Sequence, residues 1–548
     1  MERATPKKLE ARTPATEAVA DSRRVPSATW IMLGLIVLVV AGLRLRLQET
    51  PLERDEGEYA YVGQLILRGE LPYQRAYTMK FPGTHYAYAL ILAIFGQTDV
   101  GIHQGLLVVN AASIVLIFLL ASRLFDPSAG LSAAAAFGVL SLSNSMLGFT
   151  ANTEHFVVLP MLGGTLLLVR GVEECQRVLF LGAGVLLGLA VLMKQHAAVF
   201  VAFGAVFLVV RGGLAWRQTL LRGLLFALGV ALPIGVLFLY LWAKGAFAPF
   251  WFWTVIYAQH YTSMATFDQG IKSLAFQAAQ ISGSSVSLWA LAALGAFTAF
   301  WVKGRRDRVL FLFLFTTFSF LAVCPGLLFR EHYFLLFVPA ASLLAGAGAA
   351  FVGRFRFSSL SASQATACVT IAAIAVALLQ QRAYFFGDSP QVMARKIYWN
   401  NPFEETKEIA QYVRANSDPD DRIAVLGSEP QIYFYADRQS ATPFLYVYPL
   451  TEPQPYALEM QKDMIAQIER EEPRFLVAVN VSASWIRLPN SSPLFKWINQ
   501  YVPAHYRCVG VADKISETFT AYRWGDEAAR YQPFSQIRVL LFERTASR

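Results

Sequence analysis

LERDEGEYAYVGQLILRGELPYQRAYTMKFP, residues 52–82, is a polar stretch between long apolar segments, and the rest of the chain is organised around it. Its acidic pair, Asp55 and Glu56, comes just before apolar side chains that recur at helical spacing: Tyr59, Val62, Leu65 and Ile66. The pattern predicts an amphipathic helix with both carboxylates at or near its start. We expect this helix to lie on a membrane surface.

The composition is that of an integral membrane protein. Of the 548 residues, 55% are hydrophobic and only 16% are charged, which is too apolar for an ordinary soluble domain. The formal net charge of +9 does not indicate nucleic-acid binding, because Lys and Arg fall in short clusters between apolar segments, as they do in cytoplasmic loops. The four cysteines lie far apart and predict neither a disulfide framework nor a metal cluster.

The N-terminal region sets the orientation of the chain. Residues 1–27 are polar and without periodicity, which predicts a disordered cytoplasmic tail. The first span, residues 29–47, follows, and the basic pair Arg23 and Arg24 places its start in the cytoplasm. The acidic stretch therefore lies in an external loop, residues 48–102.

About eleven transmembrane helices are expected in a membrane domain of residues 28–383. The segment 86–95 is too short for a span and predicts an interfacial or re-entrant helix. The external loop 244–282 is rich in aromatic residues and predicts an interfacial helix with Trp251, Trp253 and Tyr257 at headgroup level. The spans are expected at 29–47, 103–124, 129–147, 156–169, 178–193, 197–210, 224–242, 285–301, 309–327, 333–350 and 366–379.

From about residue 384 the sequence changes to a mixed polar and apolar pattern, which predicts a small external (periplasmic) α/β domain, residues 384–548. Helices are expected at 403–413 and 457–468, and strands at 422–426, 475–479, 507–511 and 537–542. Gly427 after the first strand is a weak signal, since no glycine-rich fingerprint follows it, and we assign no nucleotide site.

The segments RDEGEYAY, residues 54–61, and MKFPGTHY, residues 79–86, resemble the first external loop of lipid-linked-sugar glycosyltransferases of the GT-C superfamily. This superfamily includes protein O-mannosyltransferases and lipid A aminoarabinose transferases. The resemblance covers the membrane part and is strongest before Lys194 and around residues 331–339. It implies a GT-C-like fold, a polyprenyl-phosphate sugar donor, and catalysis by the acidic pair Asp55 and Glu56, with Asp55 as the base.

The chemistry of such a transfer needs a base and positive charge. An acceptor hydroxyl loses a proton while it attacks the anomeric carbon, and the Asp55 carboxylate suits that role. The phosphate leaving group needs cations, which we expect to be Lys80, Lys194 and Arg330. The alternative for each is an interfacial side chain that reaches water. Lys80 resembles a lysine of the aminoarabinose transferases, although Met79 stands where those enzymes carry a glutamate.

Further external residues are candidates for binding the donor or the lipid phosphate. They are His85, His260, Tyr261, His332 and Tyr333. For the loop of His260 a plain aromatic belt is the alternative, and for the segment 330–333 it is interfacial anchoring.

A metal site is conditional. If a divalent ion such as Mg²⁺ or Mn²⁺ is used, Asp55 and Glu154 are the expected oxygen ligands, with His155 beside them. The family often carries a second acidic residue at the place of Glu154. The alternative is a turn in which Asn152 and Thr153 cap the next helix.

These features predict an inner-membrane hexosyl- or pentosyltransferase. It would move a sugar, with inversion, from a polyprenyl phosphate to a hydroxyl of a lipid, protein or polysaccharide at the external face. The C-terminal domain would roof the cavity or select the acceptor. Two alternatives stay open: a transporter or flippase for a lipid-linked substrate, and a non-catalytic envelope assembly protein.

Overall fold

The computed structural model describes residues 26–212, 216–301, 306–355, 360–399, 401–485 and 492–545. Residues 1–25 of the predicted disordered tail lie outside the described residues, and the first helix begins at Ser27.

The membrane part is a bundle of helices with short connections. Its helices are α1 Ser27–Leu47, α2 Arg54–Leu67, α3 Gly83–Phe95, α4 Asp99–Leu124, α5 Pro127–Leu140, α6 Thr153–Glu174, α7 Arg177–Met193, α8 Ala198–Gly212, α9 Trp216–Ala243, α10 Phe247–Trp251, α11 Ala258–Thr262, α12 Phe267–Ser284, α13 Val286–Trp301, α14 Arg306–Leu321, α15 Val338–Gly353 and α16 Ala362–Gln380. Short 3-10 turns cover Asn144–Met146, Gln195–Ala197, Pro325–Leu327 and Glu331–Leu336, and π-helical turns cover Phe252–Tyr257 and Ala383–Gly387.

Each predicted span coincides with one of these helices, but not all of them are long. Among the described residues, 6 helices are long and apolar enough to cross a membrane, or up to 7 if a bent helix pair forms one span. Other predicted spans, such as α5 and α15, are apolar helices of 10–17 residues. The chain is a multi-pass membrane protein, and the count of eleven spans stays a prediction.

Helix α2 is buried, although the sequence predicts that it lies on a membrane surface. Every residue from Glu56 to Leu65 is buried, because α3 packs on one side and the C-terminal domain packs on the other. The helix begins with a capping box in which the Glu53 side chain accepts from the backbone N–H of Glu56 and the Glu56 side chain accepts from that of Glu53. The acidic helix start is therefore enclosed by protein.

The C-terminal domain is an α/β domain, as predicted. Its helices are α17 Pro390–Ile397, α18 Phe403–Ala415, α19 Gln431–Ala436, α20 Tyr448–Thr451, α21 Ala457–Glu471, α22 Pro493–His505 and α23 Gly525–Arg530, with a 3-10 turn at Ser482–Ser484. Its strands are β1 Arg422–Leu426, β2 Gln439–Ser440, β3 Phe475–Asn480, β4 Tyr506–Lys514, β5 Thr520–Trp524 and β6 Arg538–Arg544. The polytopic helical fold with a small C-terminal sheet domain is thus confirmed.

The six strands form one mixed sheet in the order β2-β1-β3-β6-β4-β5. Strand β1 is parallel to β2 and β3, whereas β6 is antiparallel to β3 and β4, and β5 is antiparallel to β4. The carboxyl ends of β1, β3 and β4 therefore lie along one edge of the sheet. This edge docks on the start of α2, where Arg54 donates to the Ser428 carbonyl at 2.6 Å and pairs with Glu429 at 2.7 Å.

The aromatic loop after α9 differs from the interfacial belt that the sequence predicts. Trp253 is 5% exposed and Tyr257 is 1% exposed, because the C-terminal domain covers them. The Trp253 ring lies 6.3 Å from that of Phe444, and the Tyr257 hydroxyl donates to Glu452 at 2.6 Å. Only Trp251, at 42% exposure, fits the predicted belt. The loop thus joins the two domains.

Candidate active site

A cavity of about 420 Å³ lies between one end of the helix bundle and the C-terminal domain. It contains most of the charged residues that the sequence analysis selects. Its polar lining includes Asp55, Tyr59, Lys80, Glu154, Lys194, His196, Tyr261, His332, Tyr333 and Tyr448. The lining comes from six separate stretches of the membrane part and from one residue of the C-terminal domain.

Asp55 faces this cavity because another residue caps its helix. The Glu53 carboxylate accepts from the backbone N–H groups of Asp55 at 3.0 Å and of Glu56 at 3.1 Å. The Asp55 side chain is therefore not needed for capping, and its Oδ1 accepts a hydrogen bond from Lys80 Nζ at 2.8 Å. The predicted base and the first predicted phosphate-binding cation form an ion pair.

The ion pair governs the protonation of Asp55. Burial is the largest single effect and by itself raises the pKa of this carboxyl, but the charges of Lys80, His332 and Lys194 and the hydrogen bond from Lys80 together hold the pKa below its ordinary value. Burial opposes the charge on Lys80, whereas Asp55 and Glu58 raise its pKa well above the ordinary value. Both partners are therefore charged at neutral pH.

Glu58 is a second carboxylate on Lys80, and the sequence analysis missed it. Its Oε2 accepts from Lys80 Nζ at 2.6 Å and from the Tyr446 hydroxyl at 2.5 Å, and its Oε1 accepts from Thr78. The i, i+3 spacing from Asp55 places both carboxylates on the same face of α2, which is the signal that could have found it. Tyr446, by contrast, comes from the C-terminal domain and left no local signal.

Glu56 does not reach the cavity, so its predicted catalytic place beside Asp55 is not supported. Its side chain is fully buried on the other side of α2. Its Oε1 accepts from the backbone N–H of Ala151 at 2.6 Å and lies 3.0 Å from His103 Nε2. Successive helical residues point about 100° apart, which is why the neighbours Asp55 and Glu56 separate. Glu56 ties α2 to α4 and to the segment before α6.

A second ion pair lies across the cavity. Lys194 pairs with Glu154, and its ammonium lies 3.8 Å from the centre of the Tyr333 ring. His196 packs edge-on against the same ring at 5.1 Å. Glu154 Oε2 and His332 Nδ1 are buried without a hydrogen-bond partner, although both side chains line the cavity. These two atoms lack the hydrogen bonds that buried polar groups usually make.

The other predicted binding residues are spread around this centre. His85 is fully buried behind the cavity, where its Nε2 lies 3.2 Å from Glu58 Oε1. Arg330 is exposed and hydrogen-bonds the Tyr261 hydroxyl at the rim. His260 is exposed and packs 5.9 Å from the ring of Tyr456, so it does not line the cavity.

The conditional metal site is only partly assembled. Among the described residues, no group of three or more His, Cys, Asp and Glu side chains is arranged to hold a metal ion. Asp55 and Glu154 share the cavity, but each is paired with a lysine, and His155 Nδ1 lies 3.1 Å from the amide nitrogen of Asn110 instead. This donor set does not fit a divalent ion, because a metal would have to displace a lysine.

Comparison with known proteins agrees with this fold. Residues 79–242 match the family model of dolichyl-phosphate-mannose-protein mannosyltransferases. No curated protein sequence matches the chain. The structure resembles that of ArnT from Cupriavidus metallidurans bound to undecaprenyl phosphate, with a TM-score of 0.58, 14% identity, and coverage of 94% of this chain and 98% of that chain.

Two further structures share the architecture. The apo state of the same ArnT has a TM-score of 0.56 at 14% identity and covers 97% of this chain and 98% of that chain. The arabinofuranosyltransferase AftD from Mycobacteria has a TM-score of 0.53 at 14% identity, over 96% of this chain and 40% of that chain. The chain thus has the fold of the GT-C glycosyltransferases, which confirms the resemblance seen in its sequence.

Proposed function

We propose that this protein transfers a sugar from a polyprenyl-phosphate donor to an acceptor hydroxyl at the external face of the inner membrane. The observation that carries the proposal is the cavity itself. It brings one carboxylate for the acceptor proton, Asp55, together with two lysines for the phosphate, Lys80 and Lys194. The ArnT structure that shares this fold holds undecaprenyl phosphate, which supports a lipid-phosphate donor.

In the proposed reaction the acceptor oxygen bonds to the anomeric carbon while the bond from that carbon to the phosphate oxygen breaks. The acceptor proton passes to Asp55, and the electron pair of the broken bond leaves on the polyprenyl phosphate. Attack opposite the leaving phosphate inverts the anomeric carbon. Lys80 and Lys194 stabilise the charge of the phosphate, and Arg330 stands at the rim, where it holds Tyr261.

The donor phosphate also acts on the base. In the structure Lys80 helps to lower the pKa of Asp55, and a carboxylate with a low pKa is a weak base. A bound phosphate competes for the same ammonium group. We therefore expect Asp55 to become a better base only when the donor is in place, which would limit the reaction to the loaded enzyme.

The test is sugar transfer by the purified protein, reconstituted in lipid nanodiscs and given a panel of polyprenyl-phosphate sugars with lipid, peptide and glycan acceptors. Release of polyprenyl phosphate should fall on the order of 10²- to 10⁴-fold in Asp55→Asn, which lacks the base. Asp268→Asn is the matched control, because Asp268 is a largely exposed carboxylate whose ion-pair partner among the described residues is Lys272. Loss of turnover with a chelator would show that a divalent ion is needed.

Binding of the donor separates this function from its alternatives. A folded Asp55→Asn that binds the donor but releases no phosphate supports the transferase. Movement of the lipid-linked sugar across the bilayer without release of phosphate, equal in wild type and Asp55→Asn, would replace the proposal by a flippase.

A further inference from the structure

Four large apolar side chains lie exposed at one corner of the C-terminal domain. Trp399 is 46% exposed, Ile515 45%, Phe519 56% and Phe534 84%. Exposed apolar clusters on a protein surface often mark sites of interaction with a protein or a membrane. We call these four residues the aromatic foot.

The foot is one surface because its parts meet at one edge of the sheet. Residues 515–519 form the tip of the β4–β5 hairpin, where Ile515 N–H donates to the Phe519 carbonyl at 3.1 Å. Asp513, just before the tip, accepts from the backbone N–H of Phe534 at 2.7 Å. Lys514 Nζ donates to the Trp399 carbonyl at 3.0 Å. The successive residues Asp513 and Lys514 thus link the three segments of the foot by hydrogen bonds.

This edge of the sheet faces the membrane part. Arg538, at the start of β6, pairs with both Asp513 of β4 and Asn480 of β3, and β3 is parallel to β1. The foot and the carboxyl end of β1 therefore share an edge. The end of β1 is followed by Ser428 and Glu429, which bind Arg54 at the start of α2.

Trp399 lies next to the ends of two helices of the membrane part. Its neighbour Tyr398 packs into a cluster with Leu47, the last residue of α1, and with Tyr384, which follows α16. In the last turn of α16, Leu379 is 62% exposed, as expected of a side chain that faces lipid. A tryptophan at this level is typical of the interface between hydrocarbon and headgroups.

We propose that the aromatic foot rests on the outer leaflet and that its partner is membrane lipid at headgroup depth. The edge that docks on the helices continues sideways into the foot, where no described part of the chain covers it. The tip also carries Glu517, whose charge keeps it at the polar headgroups and out of the hydrocarbon. The contact would hold the C-terminal domain, with Tyr446 and Tyr448, over the cavity. It does not depend on the proposed reaction.

The test places a fluorophore on the foot of the full chain in nanodiscs. The four native cysteines are replaced by serine, and Phe519→Cys and Phe534→Cys are each labelled with a polarity-sensitive dye. Shallow spin-labelled phosphatidylcholine should quench both dyes. The control is Arg470→Cys, because Arg470 is exposed near the opposite edge of the sheet, next to Glu471, which pairs with Arg422 at the start of β1. That dye should keep its intensity.

Leu45→Cys, in the last turn of α1, provides the positive control, because Leu45 is 45% exposed near the end of a helix that is long enough to span the membrane. Quenching at residue 45 but at neither foot position overturns the proposal. Fluorescence that is lost at the foot positions only in discs with two copies of the chain also overturns the proposal, because the partner would then be a second copy and not lipid. Two independent foot variants are used, so that one misfolded variant does not decide the result.

Discussion

At the scale of single residues, the base of the proposed reaction is held by charges that it shares with its neighbours. Lys80 bridges Asp55 and Glu58, and its ammonium lies 4.3 Å from the centre of the Tyr59 ring. One partly buried cation therefore affects both the charge and the direction of the proposed base. Its removal should change the pH dependence of the reaction as well as its rate.

We predict that Lys80→Gln moves the acid limb of the pH–rate profile to higher pH. In wild type, Lys80 keeps the pKa of Asp55 low, so the carboxylate remains ionised in mild acid. Without Lys80, burial is no longer opposed by its charge and raises the pKa, so the basic form is lost earlier as pH falls. The measurement is kcat/KM against pH. An unchanged limb in Lys80→Gln would show that Asp55 is not the titrating base.

Glu58 should matter for folding, because it is a fully buried carboxylate with four polar partners, Lys80, His85, Thr78 and Tyr446. We predict that Glu58→Ala lowers the free energy of unfolding by roughly 3–5 kcal/mol, since it leaves Lys80 without a buried partner. Thermal unfolding in detergent measures the change. The exposed variant Asp268→Asn should stay within about 0.5 kcal/mol of wild type.

The same carboxylate gives this stability a pH dependence. Burial alone would raise the pKa of Glu58, but Lys80 and His85 lower it from 4.5 to about 2. A depressed pKa stabilises the folded state above the ordinary value and loses that contribution as pH falls toward the folded value. The difference between wild type and Glu58→Ala should therefore shrink between about pH 4.5 and pH 2.

At the scale of elements, the site depends on how closely α19 of the C-terminal domain packs on α2. A Cβ atom on Gly57 would lie 2.5 Å from the backbone nitrogen of Gln431. Only glycine allows this approach, and a backbone cannot move aside as a flexible side chain can. Gly57 lies two residues after Asp55, so this packing lies beside the place where Tyr448 lines the cavity and Tyr446 contacts Glu58.

We predict that Gly57→Ala separates the two helices, destabilises the docked domain by about 1–3 kcal/mol and reduces transfer. Faster proteolysis of the C-terminal domain and faster hydrogen exchange in α2 would measure the separation. Gly34→Ala is the matched control, because a Cβ at Gly34 meets nothing within 4 Å. Equal protection in both variants would show that the interface tolerates the added methyl group.

At the scale of the whole molecule, the two ends of the helix bundle differ. The cavity lies at one end, and the clustered ion pairs of Arg123, Arg170 and Arg211 lie at the other end. Helix α6 carries Glu154 at its start, in the cavity, and Glu174 at its end, where it pairs with Arg123 and Arg170. A helix of 22 residues spans about 33 Å, which is enough to cross a bilayer. Both faces of the membrane can therefore be tested on the same protein.

We predict that Arg75→Cys, in a chain without other cysteines, reacts with a membrane-impermeant maleimide from outside intact cells. A chain that keeps only Cys175, which is exposed beyond the end of α6, should react only after the membrane is opened. Positive charge at cytoplasmic ends is the physical reason for this orientation. Labelling of Cys175 from outside, with Arg75→Cys protected, would place Asp55 in the cytoplasm and exclude the proposed function.

The sequence by itself determined the class of protein, its two-part organisation and the principal charged residues of the cavity. Apolar segments of bilayer length, a change of pattern near residue 384 and the segments around Asp55 and Lys80 are local signals, because helices and lipid contacts depend on neighbouring residues. The strands at 422–426 and 475–479 were likewise found from short apolar runs.

Only the tertiary structure decided which side chains share the cavity. It separated Asp55 from Glu56 and paired Lys80 with Glu58. It also brought Tyr446 to Asp55, from which it is 391 residues away along the chain. It also buried α2 and Trp253, which composition predicts at the membrane surface. The physical reason is that an amphipathic pattern shows that a face is covered, whereas the partner that covers it is set by long-range packing.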